Sequence, residues 1–287
     1  MTRRAFLGGS AGAAAGTVLG GAACGRTGGG APGGPAPRFE LGLASYTFRE
    51  FDLDATLAMA RRLGLGRIAL KDFHLPLSSS EADIRAVVAK VRAAGIVPYG
   101  CGVVYMTNEA EVDRAFAYAR AGGLEIVIGA PGHALLGLAE RRVRETGVRL
   151  AVHNHGPGDP LYPTPRSILD RVAGLDPGVG VCLDVGHCAR SGVDPSEAAA
   201  ACGPRLLDVH LKDVTAASAD GVAVEAGRGA VDLPGFLRTL AAVDYRGTAA
   251  FEYEKDGRDP LAGLAESVGF VRGVLAARRG PRAGGRR

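Results

Sequence analysis

Five of the six histidines in this chain stand at or just after the end of a short apolar run: His74, His153, His155, His187 and His210. Asp184 closes the run ahead of His187, and Glu252 closes another near the C-terminus. His133, near the start of a helical stretch, does not share this placement. Neutral imidazoles and carboxylates gathered at one point hold a divalent ion such as Mn²⁺, Mg²⁺, Co²⁺ or Zn²⁺. The same groups move protons near neutral pH. They suit a reaction in which a base takes a proton from carbon beside a carbonyl and a cation polarises the oxygen. Lys71 and Lys212 occupy similar run-end positions, where a charge suits contact with substrate oxygens. The cysteines offer less. Cys101, Cys182, Cys188 and Cys202 form no C-x-x-C pair, and the first two lie in apolar runs as buried small hydrophobes.

These residues can act together only if the elements carrying them share one end. The apolar runs cover 41–46, 67–71, 97–103, 125–128, 149–153, 180–184, 206–210 and 248–252. They are rich in Val, Ile and Leu and mostly non-alternating, as strands covered on both faces are. Helical patterns fill 53–63, 80–94, 109–121, 133–146, 165–173, 195–202, 233–242 and 259–277. Ser79 or Ser80 caps the second and Asn108 the third, and Gly64 and Gly95 stop the first two. Eight strand–helix units in about 240 residues predict a single-domain (β/α)₈ TIM barrel of class α/β over 39–277. An open doubly wound sheet usually carries a Gly-rich phosphate loop after its first strand. Here Ala44-Ser45-Tyr46-Thr47-Phe48 stands in that place. In a barrel, the C-terminal strand ends form one mouth, with Tyr46 and Tyr105 as its expected walls.

Three segments carry a specific resemblance: Leu183-Asp184-Val185-Gly186-His187, Val209-His210-Leu211-Lys212-Asp213 and Phe251-Glu252-Tyr253-Glu254. In this order and spacing they resemble the xylose isomerase-like barrel superfamily of sugar isomerases, epimerases and apurinic endonucleases. Val152-His153-Asn154-His155-Gly156 and Gly227-Arg228-Gly229-Ala230-Val231-Asp232 are similar to segments common in it. Leu70-Lys71-Asp72-Phe73-His74, joined to the N-terminal segment, resembles an exported bacterial subgroup called sugar phosphate isomerase/epimerase. The resemblance spans about residues 40 to 277. It implies one divalent metal ion held by Asp184, His210 and Glu252, with His153 in the fourth position, where the family's epimerases have Glu. It implies His187 as a substrate contact, and His155, Lys212, Lys71, His74 and Arg228 join it in the expected substrate-binding set.

With His153 in place of a second glutamate, the expected proton-transfer residues are Glu252 and His153. The implied reaction is isomerisation or epimerisation of a small carbohydrate. A lyase or hydratase acting on a 3-keto-sugar derivative, and a non-catalytic sugar-binding lipoprotein, are the alternatives. An apurinic endonuclease would need about three zinc ions, more ligands and a basic groove.

Charge placement argues the same way. The net charge is +4, but Arg3, Arg4, Arg26, Arg278, Arg279, Arg282, Arg286 and Arg287 all lie near the ends. The remaining 26 basic residues face 30 acidic ones, a body of about −4, which excludes a nucleic-acid footprint. Thr2-Arg3-Arg4-Ala5-Phe6-Leu7 and the Gly/Ala run to Ala23 resemble a twin-arginine export signal over 1–24. Cys24 stands where a lipoprotein would be cleaved and lipidated, so any membrane contact is expected through the signal or a lipid anchor. The stretch 25–38 reads as a Gly/Pro-rich tether and 278–287 as a disordered basic tail. The expected place of work is the periplasm or outer membrane face, on an unphosphorylated or oxidised sugar. A homo-oligomer is compatible with this reading.

Overall fold

The computed structural model describes residues 37–277. The signal, the cleavage site at Cys24, nearly all of the 25–38 tether and the basic tail lie outside them. Strands β1 (Glu40–Ala44), β2 (Arg67–Leu70), β3 (Val97–Met106), β4 (Ile126–Pro131) and β5 (Arg149–His153) form the first part of the barrel. They are followed by β6 (Val179–Asp184) and β7 (Leu206–Leu211). A short antiparallel hairpin, β8 (Asp213–Val214) and β9 (Ala223–Val224), precedes the last barrel strand, β10 (Thr248–Phe251). The barrel strands pair in parallel in the cyclic order β1-β10-β7-β6-β5-β4-β3-β2, so the sheet has no free edge.

Local chemistry explains where the helices start and stop. α1 (Leu53–Arg62) is capped by Asp52, which accepts from the Ala55 N–H at 2.8 Å. α2 (Glu81–Ala93) begins at Ser80 and α3 (Glu109–Gly122) at Asn108. Gly123, with φ +58°, ends α3 in the left-handed conformation that glycine adopts without a Cβ penalty. A single 3-10 turn, His133–Leu135, precedes α4 (Leu136–Thr146), where one continuous helix was expected. α5 (Pro165–Val172) starts with a capping box at Thr164. α6 (Val185–Arg190) and the β8–β9 hairpin add to the expected pattern. α7 (Pro195–Cys202), α8 (Leu233–Ala242) and α9 (Pro260–Ala277) complete the outer ring. α9 is long and apolar enough to cross a membrane, yet it buries Leu264, Val268 and Val271 against the barrel.

Two apolar layers result. The larger lies between sheet and helices; the smaller fills the barrel interior with Ala44, Ala69, Tyr99, Ile126, Ile128, Ala151, Cys182, Leu207 and Ala250. Strand periodicity carries the inward direction two residues on, to the mouth. Ala151 leads to His153, Cys182 to Asp184, Asp208 to His210 and Ala250 to Glu252. The register then levels them, since Asp184 pairs with His210 and His210 with Ala250. Glu252 falls one residue past β10, but its N–H still bonds Leu211 O at 3.2 Å.

Candidate metal centre at the barrel mouth

His153, Asp184, His210 and Glu252 are all buried, and each offers a donor atom within 4.8 Å of the other three. His153 Nε2 lies 3.2 Å from His210 Nδ1 and 3.6 Å from Asp184 Oδ2. His210 Nδ1 is 3.2 Å from Glu252 Oε2. Asp184 serves two elements with its two oxygens. Oδ1 accepts the His187 N–H at 2.7 Å and caps α6, while Oδ2 faces the centre. This fully buried Oδ2 accepts no well-directed hydrogen bond, and His153 Nδ1 is also without a partner. The near neighbours of Asp184 Oδ2 are the Lys212 ammonium at 3.0 Å and the His153 ring at 3.6 Å. The donor set of two imidazoles and two carboxylates, with donor atoms this close, is one that fits a divalent metal.

Lys212 supplies the cation that the protein itself brings. Its Nζ stands 3.0 Å from Asp184 Oδ2, from Glu252 Oε2 and from Glu254 Oε1. A metal on the four donors therefore competes with this ammonium for two of the same oxygens. Burial opposes the charge of Asp184 and Glu252, yet Lys212 holds both carboxyls well below the usual range. Burial, with help from His210 and His155, pushes His153 down to about 3, so its imidazole is neutral and free to donate a lone pair. His210 is pushed up to about 9: burial opposes the charge, and Glu252, Asp208 and Asp184 outweigh it.

The other expected contacts divide. His187, at the start of α6, lies with its ring 6.0 Å from that of His153 and 6.3 Å from that of His155. His155 stacks on Tyr105 at 5.2 Å and shares a 2.9 Å hydrogen bond with its hydroxyl. Lys71 stays at the end of β2, donating to Val103 O at 2.6 Å. His74 is corrected. One ring nitrogen meets Ser45 Oγ at 2.9 Å and the other Phe51 O at 3.0 Å, which leaves neither for a substrate. Arg228 is corrected too: it is 61% exposed and pairs with Glu266 of α9, Nη2 to Oε2 at 2.7 Å. Lys212 does not pair with Asp213, whose carboxylate instead accepts the N–H groups of Gly227, Gly229 and Val231 and shapes that loop.

Three neighbours escaped the sequence reading. Asn154 locks β5 to β6, accepting the Asp184 N–H at 2.9 Å and donating to Asp184 O at 3.2 Å. Asp208 lies beneath the centre with Oδ2 3.6 Å from His210 Nε2. Its place two residues before His210 on one strand was the available signal. Arg190, at the end of α6, directs Nη1 to His187 Nδ1 at 3.4 Å.

A closed parallel barrel of eight strands with helices around it, carrying His, Asp and Glu side chains at its C-terminal mouth, is a (β/α)₈ TIM barrel. The chain belongs to the xylose isomerase-like TIM barrel family, which it matches over residues 57–274. Rhizopine catabolism protein MocC of Rhizobium meliloti is 32% identical over an aligned length of 166, the alignment covering 48% of this chain and 50% of that protein. The chain thus spans about half the length of this curated relative. The solved structure of L-ribulose 3-epimerase superposes with a TM-score of 0.66 at 17% identity, covering 84% of this chain and 96% of that one. The IolI protein with a bound zinc atom gives 0.65 at 16%, covering 84% and 98%. At these identities the likeness to both structures is one of fold.

Proposed function

We propose that this barrel is a metal-dependent isomerase or epimerase that moves a proton beside the carbonyl of a carbohydrate. The observation that carries the reading is the convergence of four buried donors, His153, Asp184, His210 and Glu252, on one point of the mouth. The epimerase activity named for L-ribulose 3-epimerase and the zinc of IolI, on the same fold, support it. A divalent ion bound by the four would supply charge to polarise the carbonyl oxygen and stabilise the negative charge that proton removal creates there.

The chain's own residues do the rest. Glu252 is held ionised beside Lys212 and is the carboxylate able to take the proton. His153 is neutral, and its unpartnered Nδ1 is the atom left to carry a proton in the second half of the reaction. His187, His155 and Lys212 orient hydroxyl oxygens around the centre, and Lys71 reaches the same mouth from β2. With His153 in the position of a second carboxylate, the site has one strong base, which favours aldose–ketose isomerisation or elimination over two-base epimerisation.

The test is solvent deuterium incorporation at the carbon next to the carbonyl, followed by NMR across a panel of aldoses, ketoses and keto-sugars with Mn²⁺ present. Wild type should exchange that proton, and Glu252→Gln should lower turnover by about 10²- to 10⁴-fold, the usual range for loss of a general base. Turnover without exchange, with Glu252→Gln as fast as wild type, removes proton transfer as the class of chemistry.

A further inference from the structure

A cavity of about 500 Å³ opens beside the metal centre, bounded by His187 and Arg190 of α6, Lys212, the β8–β9 hairpin, Glu254 and Lys255. Its charged groups have partners with one exception. Lys212 is held by three carboxylates at 3.0 Å, and Glu254 is one of these. Lys255 pairs with Glu225 at 2.9 Å. Arg190 has no carboxylate within 4 Å among the described residues. Its guanidinium donates from Nη2 to Ala219 O at 3.0 Å and from Nη1 to the ring of His187 at 3.4 Å. Its Nε is buried and has no acceptor.

We propose that Arg190 anchors an acidic group, a carboxylate or a phosphate, on the carbohydrate substrate. The inference rests on the sugar-converting reading above and adds the substrate class: a sugar acid or sugar phosphate in preference to a neutral sugar. A guanidinium is always charged, and its planar fork of donors matches both kinds of anion. Left without an anion, a partly buried guanidinium with an orphaned N–H carries an uncompensated desolvation cost. His187 places the anchor. Its ring lies 6.0 Å from the ring of His153 at the centre, and its Nδ1 touches Arg190, so one short polyol spans both ends.

The wild-type protein, loaded with Mn²⁺, is titrated calorimetrically with D-glucose, D-glucuronate and D-glucose 6-phosphate, which differ only at carbon six. The galacto series is run alongside. An acidic sugar should bind about 10- to 100-fold more tightly than its neutral counterpart, as hydrogen bonds to charged groups do. Whether the carboxylate or the phosphate leads identifies the source of the charge. Arg190→Gln should abolish the preference while Mn²⁺ affinity stays unchanged, and Arg190→Lys should restore part of it. An arginine that merely held the Ala219 loop would not move the ratio of acid to neutral affinity. Equal affinities, a preference that survives Arg190→Gln, or no binding by any of the acids overturns the proposal. The parent reading fails on a separate readout, the absence of deuterium exchange in any sugar, whatever binds.

Discussion

Lys212 stands where charge and geometry compete most sharply. Three carboxylates surround its ammonium at 3.0 Å, and two of the three are expected metal ligands. Removing one member of a buried ion cluster leaves the others uncompensated, at about 3–5 kcal/mol. The metal-free protein should therefore lose stability in Lys212→Met. The same change frees Asp184 Oδ2 and Glu252 Oε2 and removes a positive charge from beside the ion, so Mn²⁺ affinity should rise by about tenfold or more. Calorimetric titration of both proteins measures this directly. Equal or weaker Mn²⁺ binding in Lys212→Met would mean that the ammonium and the ion occupy different places.

At the scale of elements, His74 acts as a clasp and not as a substrate contact. A tautomer with its proton on Nε2 donates to Phe51 O at 3.0 Å, with Thr56 Oγ1 3.1 Å away, and Nδ1 accepts from Ser45 Oγ at 2.9 Å. Ser45 in turn accepts the Lys71 N–H at 2.8 Å, so the ends of β1 and β2 and the start of α1 are joined through one imidazole. Burial lowers the pKa of His74, with the Phe51 carbonyl opposing. The unfolded chain takes up a proton near pH 6.5 that the folded protein resists, so the unfolded state binds more protons. Stability from this group is present above about pH 6.5 and is lost as pH falls below it. In urea titrations, wild type should lose more stability than His74→Gln between pH 7.5 and pH 5, and the gap between them should close. A gap that stays constant with pH would mean that His74 is not held neutral.

For the whole molecule, the (β/α)₈ barrel and the segment ahead of it belong to different problems. The expectation of export rests on the Arg3-Arg4 pair and the following apolar run. Replacing both arginines, Arg3→Lys with Arg4→Lys, should keep the protein in the cytoplasm, read by fractionation and immunoblotting. Unchanged export would point to a different route.

The barrel was legible in the chain because strands covered on both faces need continuous Val, Ile and Leu, and helices against them need caps and a 3.6-residue repeat. Strand-end positions then followed by counting, which put five histidines, Asp184 and Glu252 at the mouth, while the choice of His153, Asp184, His210 and Glu252 among them came from the family resemblance. The β8–β9 hairpin and the short α6 were too brief to leave a periodic signature, and with them the setting of Arg190 stayed hidden. His74 and Arg228 have the right chemistry at plausible positions, but side-chain partners distant in sequence, Ser45 and Glu266, had already taken them. Asp208 and Lys212 show the same limit from the other side. The pattern of residues sets which way a side chain points, while its partner depends on how adjacent strands are staggered around the closed barrel. That stagger, which levels Asp184 with His210 and brings Lys212 between two carboxylates, exists only in the folded sheet.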